Sequence, residues 1–280
     1  MSTHAIEIEQ GERFEFGENW VRFLAVLNDD RIEEAKKSLK EMLNVESLTG
    51  KTFLDAGSGS GLFSLAARML GATVYSFDYD PQSVACTKEL KQRYFAEDSD
   101  WVVAQGSVLD KDYLSSLGQY DVVYSWGVLH HTGAMWEALD NVTPLVASGG
   151  QLFIAIYNNQ GGATRRWVIL KKLYNKYPLI RTPLAIYTLI RQWTLTFIRD
   201  SLHGNPLASW KNYKMSRGMS AWHDIVDWIG GYPFEVAKPE EIFNFYRDKG
   251  FYLQQLKTCA GGLGCNQFVF SKNNFELANV

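Results

Sequence analysis

Residues 53–62 read Phe-Leu-Asp-Ala-Gly-Ser-Gly-Ser-Gly-Leu, the part of the chain whose residue types and spacing suit ligand chemistry best. An apolar run delivers an acid, Asp55, to a turn with glycine at three alternate positions, Gly57, Gly59 and Gly61. A helix-competent stretch, 62–69, follows at once. A strand, a glycine turn and a helix N-terminus make a cradle in which backbone N–H groups approach a ligand closely. A dinucleotide fingerprint would place its third glycine at position 62, which is Leu62. Asp55 would also repel a pyrophosphate. It suits a ligand with an ammonium group, leaving the helix N-terminus for a carboxylate.

S-adenosylmethionine carries both groups, and the stretch resembles the first motif of class I S-adenosylmethionine-dependent methyltransferases. The resemblance continues downstream. Apolar residues 74–77 end in Asp78, 21 residues beyond Gly57, close to the roughly 20 at which a doubly wound sheet offers an acid to a ribose. Asp80-Pro81 opens a helix. Strand-like 102–107 ends at Gly106-Ser107, where the family meets the adenine, often with an Asp. Here Ser107 stands at that place, with the Val108 amide beside it and Asp110 nearby, so the contacting group stays open. Residues 120–125 run into Trp126-Gly127-Val128-Leu129-His130-His131-Thr132, which is similar to the family's post-strand segment, and Gly149-Gly150 with 151–157 give a fifth strand.

The resemblance covers residues 50–160 well and the following segment poorly. It implies an α/β fold: a doubly wound, seven-stranded, mostly parallel Rossmann-like sheet in the order 3-2-1-4-5-7-6. It also implies S-adenosylmethionine as cofactor and S-adenosylhomocysteine as product. The cofactor contacts it points to are Asp55, Gly57, Gly59, Gly61, Asp78, Tyr79, Ser107, Val108 and Trp126. Trp20 joins them from an aromatic segment, 14–20, of the kind that folds over the cofactor in similar enzymes; packing on the sheet edge is the alternative. For Gly61, helix–strand packing weighs as much as ligand approach.

Other elements must hold this cradle. Residues 19–27 and 31–43 read as helices, the second with Ile32, Ala35, Leu39, Met42 and Leu43 at helical spacing and Asp29 or Asp30 as cap. Residues 239–249 form an amphipathic helix with Ile242, Phe243, Phe245 and Tyr246 inward and Gly250 as C-cap. Strand-like 251–258 and 266–272, joined by a glycine-rich turn, look like the antiparallel pair that closes the family's sheet. Between the fifth strand and that helix lie roughly eighty residues, more than a crossover requires. They accommodate helices at 164–177, 183–202 and 220–229, where the family builds its acceptor lid. The expected organisation is an N-terminal helical cap (1–48), a cofactor-binding core (49–158), a helical lid insertion (159–237) and a core completion (238–280).

Methyl transfer from a sulfonium is an in-line displacement, for which the protein supplies orientation and, for a weakly acidic acceptor, a base. His130 and His131 lie just past the fourth strand, where open sheets place their ligands. A histidine titrates near 6.5 and can take a proton at neutral pH. One of the pair can be the base, His131 by analogy, or both shape the pocket by hydrogen bonding. His223 and Asp227, at i and i+4, share a helix face, so the carboxylate can orient the imidazole. A surface ion pair on a lid helix is the bland alternative. Adjacent His223 and Asp224 point to different helix faces, so no metal site is assigned. The catalytic candidates are thus His131, His223 and Asp227; the acceptor-binding candidates are Arg165, Arg166, His223 and Tyr232.

The net charge of −3 conceals an asymmetry. Residues 160–217 carry eleven Lys or Arg against one acid, Asp200, for a net +10, and the remainder is at −13. That segment suits a phosphate or carboxylate on the acceptor, with Arg165 and Arg166 best placed to clamp it. Interleaved Trp167, Trp193, Trp210 and Tyr213 equally suit membrane headgroups, and a solvated charged face is the third reading. The apolar stretch 183–198 is too short, and too interrupted by Arg191 and Gln192, to span a bilayer. Residues 1–17 are acidic and polar, unlike a signal peptide, and the three cysteines show no metal-ligand pattern. These features read as a cytoplasmic protein with peripheral membrane association through the basic lid.

The expected reaction is therefore methylation of an oxygen or nitrogen on a small sugar-, lipid- or quinone-like acceptor. An RNA methyltransferase gripping phosphates with the basic lid competes. The acidic overall charge, and the lack of an Asn/Asp-Pro-Pro-aromatic motif after Tyr124, oppose it and leave no clear nucleic-acid site. An NAD-type oxidoreductase is opposed by Leu62.

Overall fold

Short apolar runs that end in Asp or Gly become strands, and the helices between them return the chain to the same side. A computed structural model describes residues 3–211 and 221–272; Tyr213, Lys214, Arg217 and Ser220 lie outside that set. The five parallel strands are β1 (Thr52–Ala56), β2 (Thr73–Asp78), β3 (Trp101–Gln105), β4 (Tyr120–Trp126) and β5 (Val146–Tyr157). With β6 (Phe251–Lys257) and β7 (Cys265–Lys272) they form a seven-stranded sheet ordered β3-β2-β1-β4-β5-β7-β6. β7 runs antiparallel to both neighbours. This is the α/β order expected from the sequence.

The parallel strands are covered on both faces, so neighbouring residues of one strand enter opposite cores. In β1, Phe53 packs with helices α3 (Asp29–Leu43), α4 (Leu62–Met69) and α5 (Pro81–Phe95). Leu54 packs the other way, with α6 (Lys111–Ser116), α7 (Met135–Val142) and a helix at Pro239–Arg247. Before the sheet come α1 (Thr3–Glu9) and α2 (Gly17–Leu24); after β5 come α8 (Gly162–Lys176), α9 (Arg181–Leu202) and α10 (Ala221–Gly230), which makes Pro239–Arg247 α11. Trp167, Tyr174, Ala185, Ile229 and Phe234 build a separate small core in this helical region, with Phe14 and Tyr157 packed on it. Among the described residues, no helix is long and apolar enough to cross a membrane.

Four local expectations are corrected. The cap of α3 is Asn28, whose side chain accepts from the Arg31 amide at 3.2 Å, while Asp29 and Asp30 occupy the first turn. An amide oxygen one residue earlier reaches the unpaired N–H, and the two acids there suit the helix dipole. In α11, Ile242 and Tyr246 are buried but Phe243 is exposed beneath the Arg247 guanidinium. β5 starts at Val146, ahead of Gly149-Gly150, because it already pairs there with Tyr120. Gly61 packs between helices rather than against a strand: a Cβ there would sit 2.9 Å from the Thr87 Cα on α5.

Candidate active site

β1 delivers Asp55 into the interior, where its carboxylate accepts from the Ser64 hydroxyl at 2.5 Å. Ser76 donates to Ser64 at 2.7 Å and the Trp101 indole donates to Ser76 at 2.9 Å, so a chain of donors ends on this acid. Burial pushes Asp55 up to about 7, against the Ser64 hydrogen bond. At the end of β2, Asp78 accepts from the Gly59 amide and from the Asp80 amide, each at 2.9 Å. Burial raises it to about 6 although these amides oppose the shift. Two desolvated carboxylates therefore flank one turn, and no salt bridge to either is formed among the described residues. Such a pair favours a cationic ligand and disfavours a pyrophosphate.

The turn between them needs glycine. Gly57 and Gly59 both hold positive φ, 90° and 55°. A Cβ on Gly57 would strike the Val128 side chain, and one on Gly59 would lie 3.1 Å from the Trp20 ring. Val128 and Trp20 thus cover the turn from two directions. The residues present fit S-adenosylmethionine: a glycine cradle for its amino-acid portion, uncompensated acids for its positive charge, and Asp78 at the end of β2 for its ribose. Elsewhere along the rim, Tyr79 donates to Glu7 at 3.3 Å and lies under the Arg13 guanidinium. Ser107 accepts from the Leu109 amide at 3.1 Å, Val108 is buried, and Trp126 is exposed. Asp110 is engaged as the cap of α6.

The N-terminal segment closes this side. Asp80 caps α5 and accepts from the Gly17 amide at 2.8 Å, which anchors the start of α2 above the cradle. Arg13 donates to the His131 carbonyl at 3.1 Å, and the Phe16 ring packs on the His131 ring at 5.0 Å between centroids.

Past β4, the two histidines differ. The ring of His131 donates from Nδ1 to the Pro233 carbonyl at 2.5 Å. A carbonyl only accepts, so the proton sits on Nδ1 and the lone pair on Nε2. Burial depresses His131 to about 3, the Pro233 contact opposing. His130 is fully buried, and no well-formed hydrogen bond reaches either of its ring nitrogens. It is held well below the ordinary value, chiefly by burial. Its ring lies 4.2 Å from that of Tyr157, and Tyr157 is edge-on to Trp228 at 5.6 Å. The Trp228 indole nitrogen is likewise buried without a partner.

α10 carries the other candidates. His223 falls within it, but its side chain is outside the described set. Asp227 accepts a short hydrogen bond from the Asn19 amide of α2. Burial, with Asp224 adding to it, raises Asp227 to about 7. Tyr232 offers its carbonyl to the Phe14 amide at 2.8 Å. Arg165 and Arg166 stand exposed on the first turns of α8.

Lys171, Tyr157 and Asn19 were not singled out by sequence. Lys171 is 1% exposed, donates to the Trp228 carbonyl, and lies 4.3 and 4.6 Å from the ring centres of Trp228 and Phe234. Burial lowers it to about 7. The signal was present: Thr164, Trp167, Lys171 and Tyr174 fall on one helical stripe, and all are buried. A lysine on a core stripe differs from the lysines around it.

The fold, the glycine turn and the two acids define a methyl-transfer domain. A family model described as methyltransferase domain matches residues 27–204, and the chain belongs to that family of S-adenosylmethionine-dependent methyltransferases. The tRNA U34 carboxymethyltransferase of Methylococcus capsulatus is 32% identical over 122 residues, 43% of this chain and 36% of that protein. The ubiquinone biosynthesis O-methyltransferase of Vibrio parahaemolyticus is 25% identical over 183 residues, 62% of this chain and 75% of that protein. The chain thus spans about a third of the length of the first relative. A crystal structure of magnesium protoporphyrin IX methyltransferase from Synechocystis PCC 6803, with bound S-adenosylhomocysteine, superposes with a TM-score of 0.55. It is 15% identical and the match covers 91% of this chain and 95% of that one, a likeness of fold.

Proposed function

We propose that the chain methylates an oxygen or nitrogen of a small, anionic, lipid- or sugar-like acceptor held beside Tyr157, beneath α10 and the N-terminal segment. The observation that carries this reading is the buried Trp228 indole N–H, which has no partner, beside the buried His130 ring, which no well-formed hydrogen bond reaches. Buried polar atoms normally find partners, and leaving one without costs about 1–3 kcal/mol. An unpaired indole N–H and a poorly paired imidazole around the Tyr157 ring suit a polar ligand. It lies at the carboxyl ends of β4 and β5, where open sheets bind.

S-adenosylmethionine, when bound, supplies an electrophilic methyl group on a sulfonium. Asp55, the Gly57–Gly59 turn and Asp78 would hold it, with Trp20 and Val128 covering the turn. Gly61, Tyr79, Ser107, Val108 and Trp126 complete the proposed rim. His131, neutral near pH 7 with its proton fixed on Nδ1, orients the acceptor by accepting at Nε2. Asp227, raised to about 7, is the stronger base near neutrality and takes the acceptor proton. Arg165 and Arg166 are proposed to meet an anionic group of the acceptor, with His223 and Tyr232 beside it. The +10 segment further supports work at an anionic membrane surface.

The test is S-adenosylhomocysteine release, screened over phosphorylated sugars, quinols, lipids and RNA. Turnover on a small-molecule class that Asp227→Asn abolishes, with S-adenosylhomocysteine binding intact, supports the reading. Turnover confined to RNA, with steep salt dependence, replaces it.

A further inference from the structure

α9 is built the wrong way round for a helix covering a core. Its fully buried side chains are Ala185, Thr188 and Asp200, none of them bulky and apolar. Leu184, Leu189 and Trp193 are half-buried, and the other bulky apolar residues of the helix face outward. Leu202 is 82% exposed, Leu195 78% and Ile190 61%, and Leu179, just before the helix, is 95% exposed. Leu195, Ile198 and Leu202 lie on one helical row with Arg191, and Ile186, Ile190 and Phe197 lie on the adjoining row. Scattered exposed leucines need no explanation, but a continuous apolar face does. The same helix borders an apolar groove of about 360 Å³, walled by Trp193, Phe197, Leu207 and Trp210.

Charge says what the face meets. On α8, Arg165, Ile169, Lys172 and Lys176 form a second exposed row at i, i+4, i+7 and i+11. Arg166, Arg181, Arg191, Arg199 and Lys211 are exposed as well. From residue 160 to 211 the sole acid is Asp200, which is buried and bound by the Ser209 amide and hydroxyl. An exposed apolar face among cations, with no exposed acid, complements a surface that is anionic outside and hydrocarbon beneath. An RNA backbone would use the cations but leave the exposed aliphatic and aromatic side chains of α9 in water.

We propose that the outward face of α9 inserts into the headgroup layer of an anionic lipid bilayer, flanked by the cations of α8 and α9. This deepens the membrane-surface reading above and rests on it. The apolar groove at Trp193 and Trp210 then opens toward the acyl region and takes a lipid chain.

Flotation of the full chain with phosphatidylcholine vesicles, with and without phosphatidylglycerol, tests this. The wild type is expected to float with the anionic vesicles, and the combined variant Ile190→Gln, Leu195→Gln, Leu202→Gln to partition about tenfold less or worse. These side chains are solvent-exposed, so an unchanged melting temperature separates lost docking from lost folding. No flotation with anionic vesicles overturns both the membrane reading and the assignment to α9. Equal flotation of wild type and variant leaves a charge-driven membrane reading standing and overturns insertion of α9. Salt-sensitive RNA binding in place of vesicle binding overturns both and assigns the cations to nucleic acid.

Discussion

Asp78 joins the two halves of the cradle, since its carboxylate accepts from Gly59 on one side and Asp80 on the other. Asp78→Asn keeps the size but loses the charge and one acceptor lone-pair set. The S-adenosylhomocysteine Kd is expected to rise about ten- to a hundredfold, measured by calorimetry. An unchanged Kd would remove Asp78 from the ribose. Lys171 invites a different test. Its folded value lies near 7 against an ordinary 10.5, so between those limits the unfolded chain binds more protons and stability rises with pH. The buried ammonium is costly below pH 7, by an amount on the order of a few kcal/mol. Lys171→Met is therefore expected to gain most over wild type at pH 6 and to lose that advantage progressively toward pH 10. Melting curves across the range would show a constant difference if Lys171 titrated normally. Asp55 and Asp227 act in the opposite sense. Both are raised to about 7, so each contributes stability below about pH 4 that is lost as pH rises through 7.

At the scale of elements, the junction of α4 and α5 carries a sharp expectation. Gly61 begins α4 at φ 82°, and a side chain there would press on the Thr87 backbone. Gly61→Ala should destabilise by about 2 kcal/mol through separation of the two helices, seen as a lowered melting temperature. A neutral result would mean that the helices part at little cost. The elements themselves were largely legible in the sequence. Helix 62–69 and the paired Asp80-Pro81 start are local signals, set by spacing and capping, and the strand order followed from recognising the turn. What was not legible is long-range. Asn28 rather than Asp29 caps α3 because of where the backbone turns. Asp227 pairs with Asn19, 208 positions away, although a helix wheel offers it His223. Tyr157 and Lys171 acquire their surroundings only when α8 and α10 fold onto β5. Burial then sets their protonation, and no spacing rule anticipates that.

For the whole molecule, ligand and fold are linked through mass action. Saturating S-adenosylhomocysteine at a hundred times its Kd should stabilise the chain by about 2.7 kcal/mol, read as a rise of about 5 °C in melting temperature. NADH should give none. The same ligand should slow tryptic cleavage at Arg13, whose side chain is engaged with Glu7 and the His131 carbonyl; unaltered cleavage would show that the N-terminal segment does not respond to the cradle.

The N-terminal segment and α10 are fastened to one another, through Asn19 to Asp227 and Phe14 to Tyr232, as well as to the sheet. Neither can swing aside alone without breaking those links. Ligand exchange beneath them would then need both to open together, like a door with two leaves. Turnover in such an enzyme would be paced by the door: it would slow in viscous solvent, while a burst of product formed in the first cycle would not.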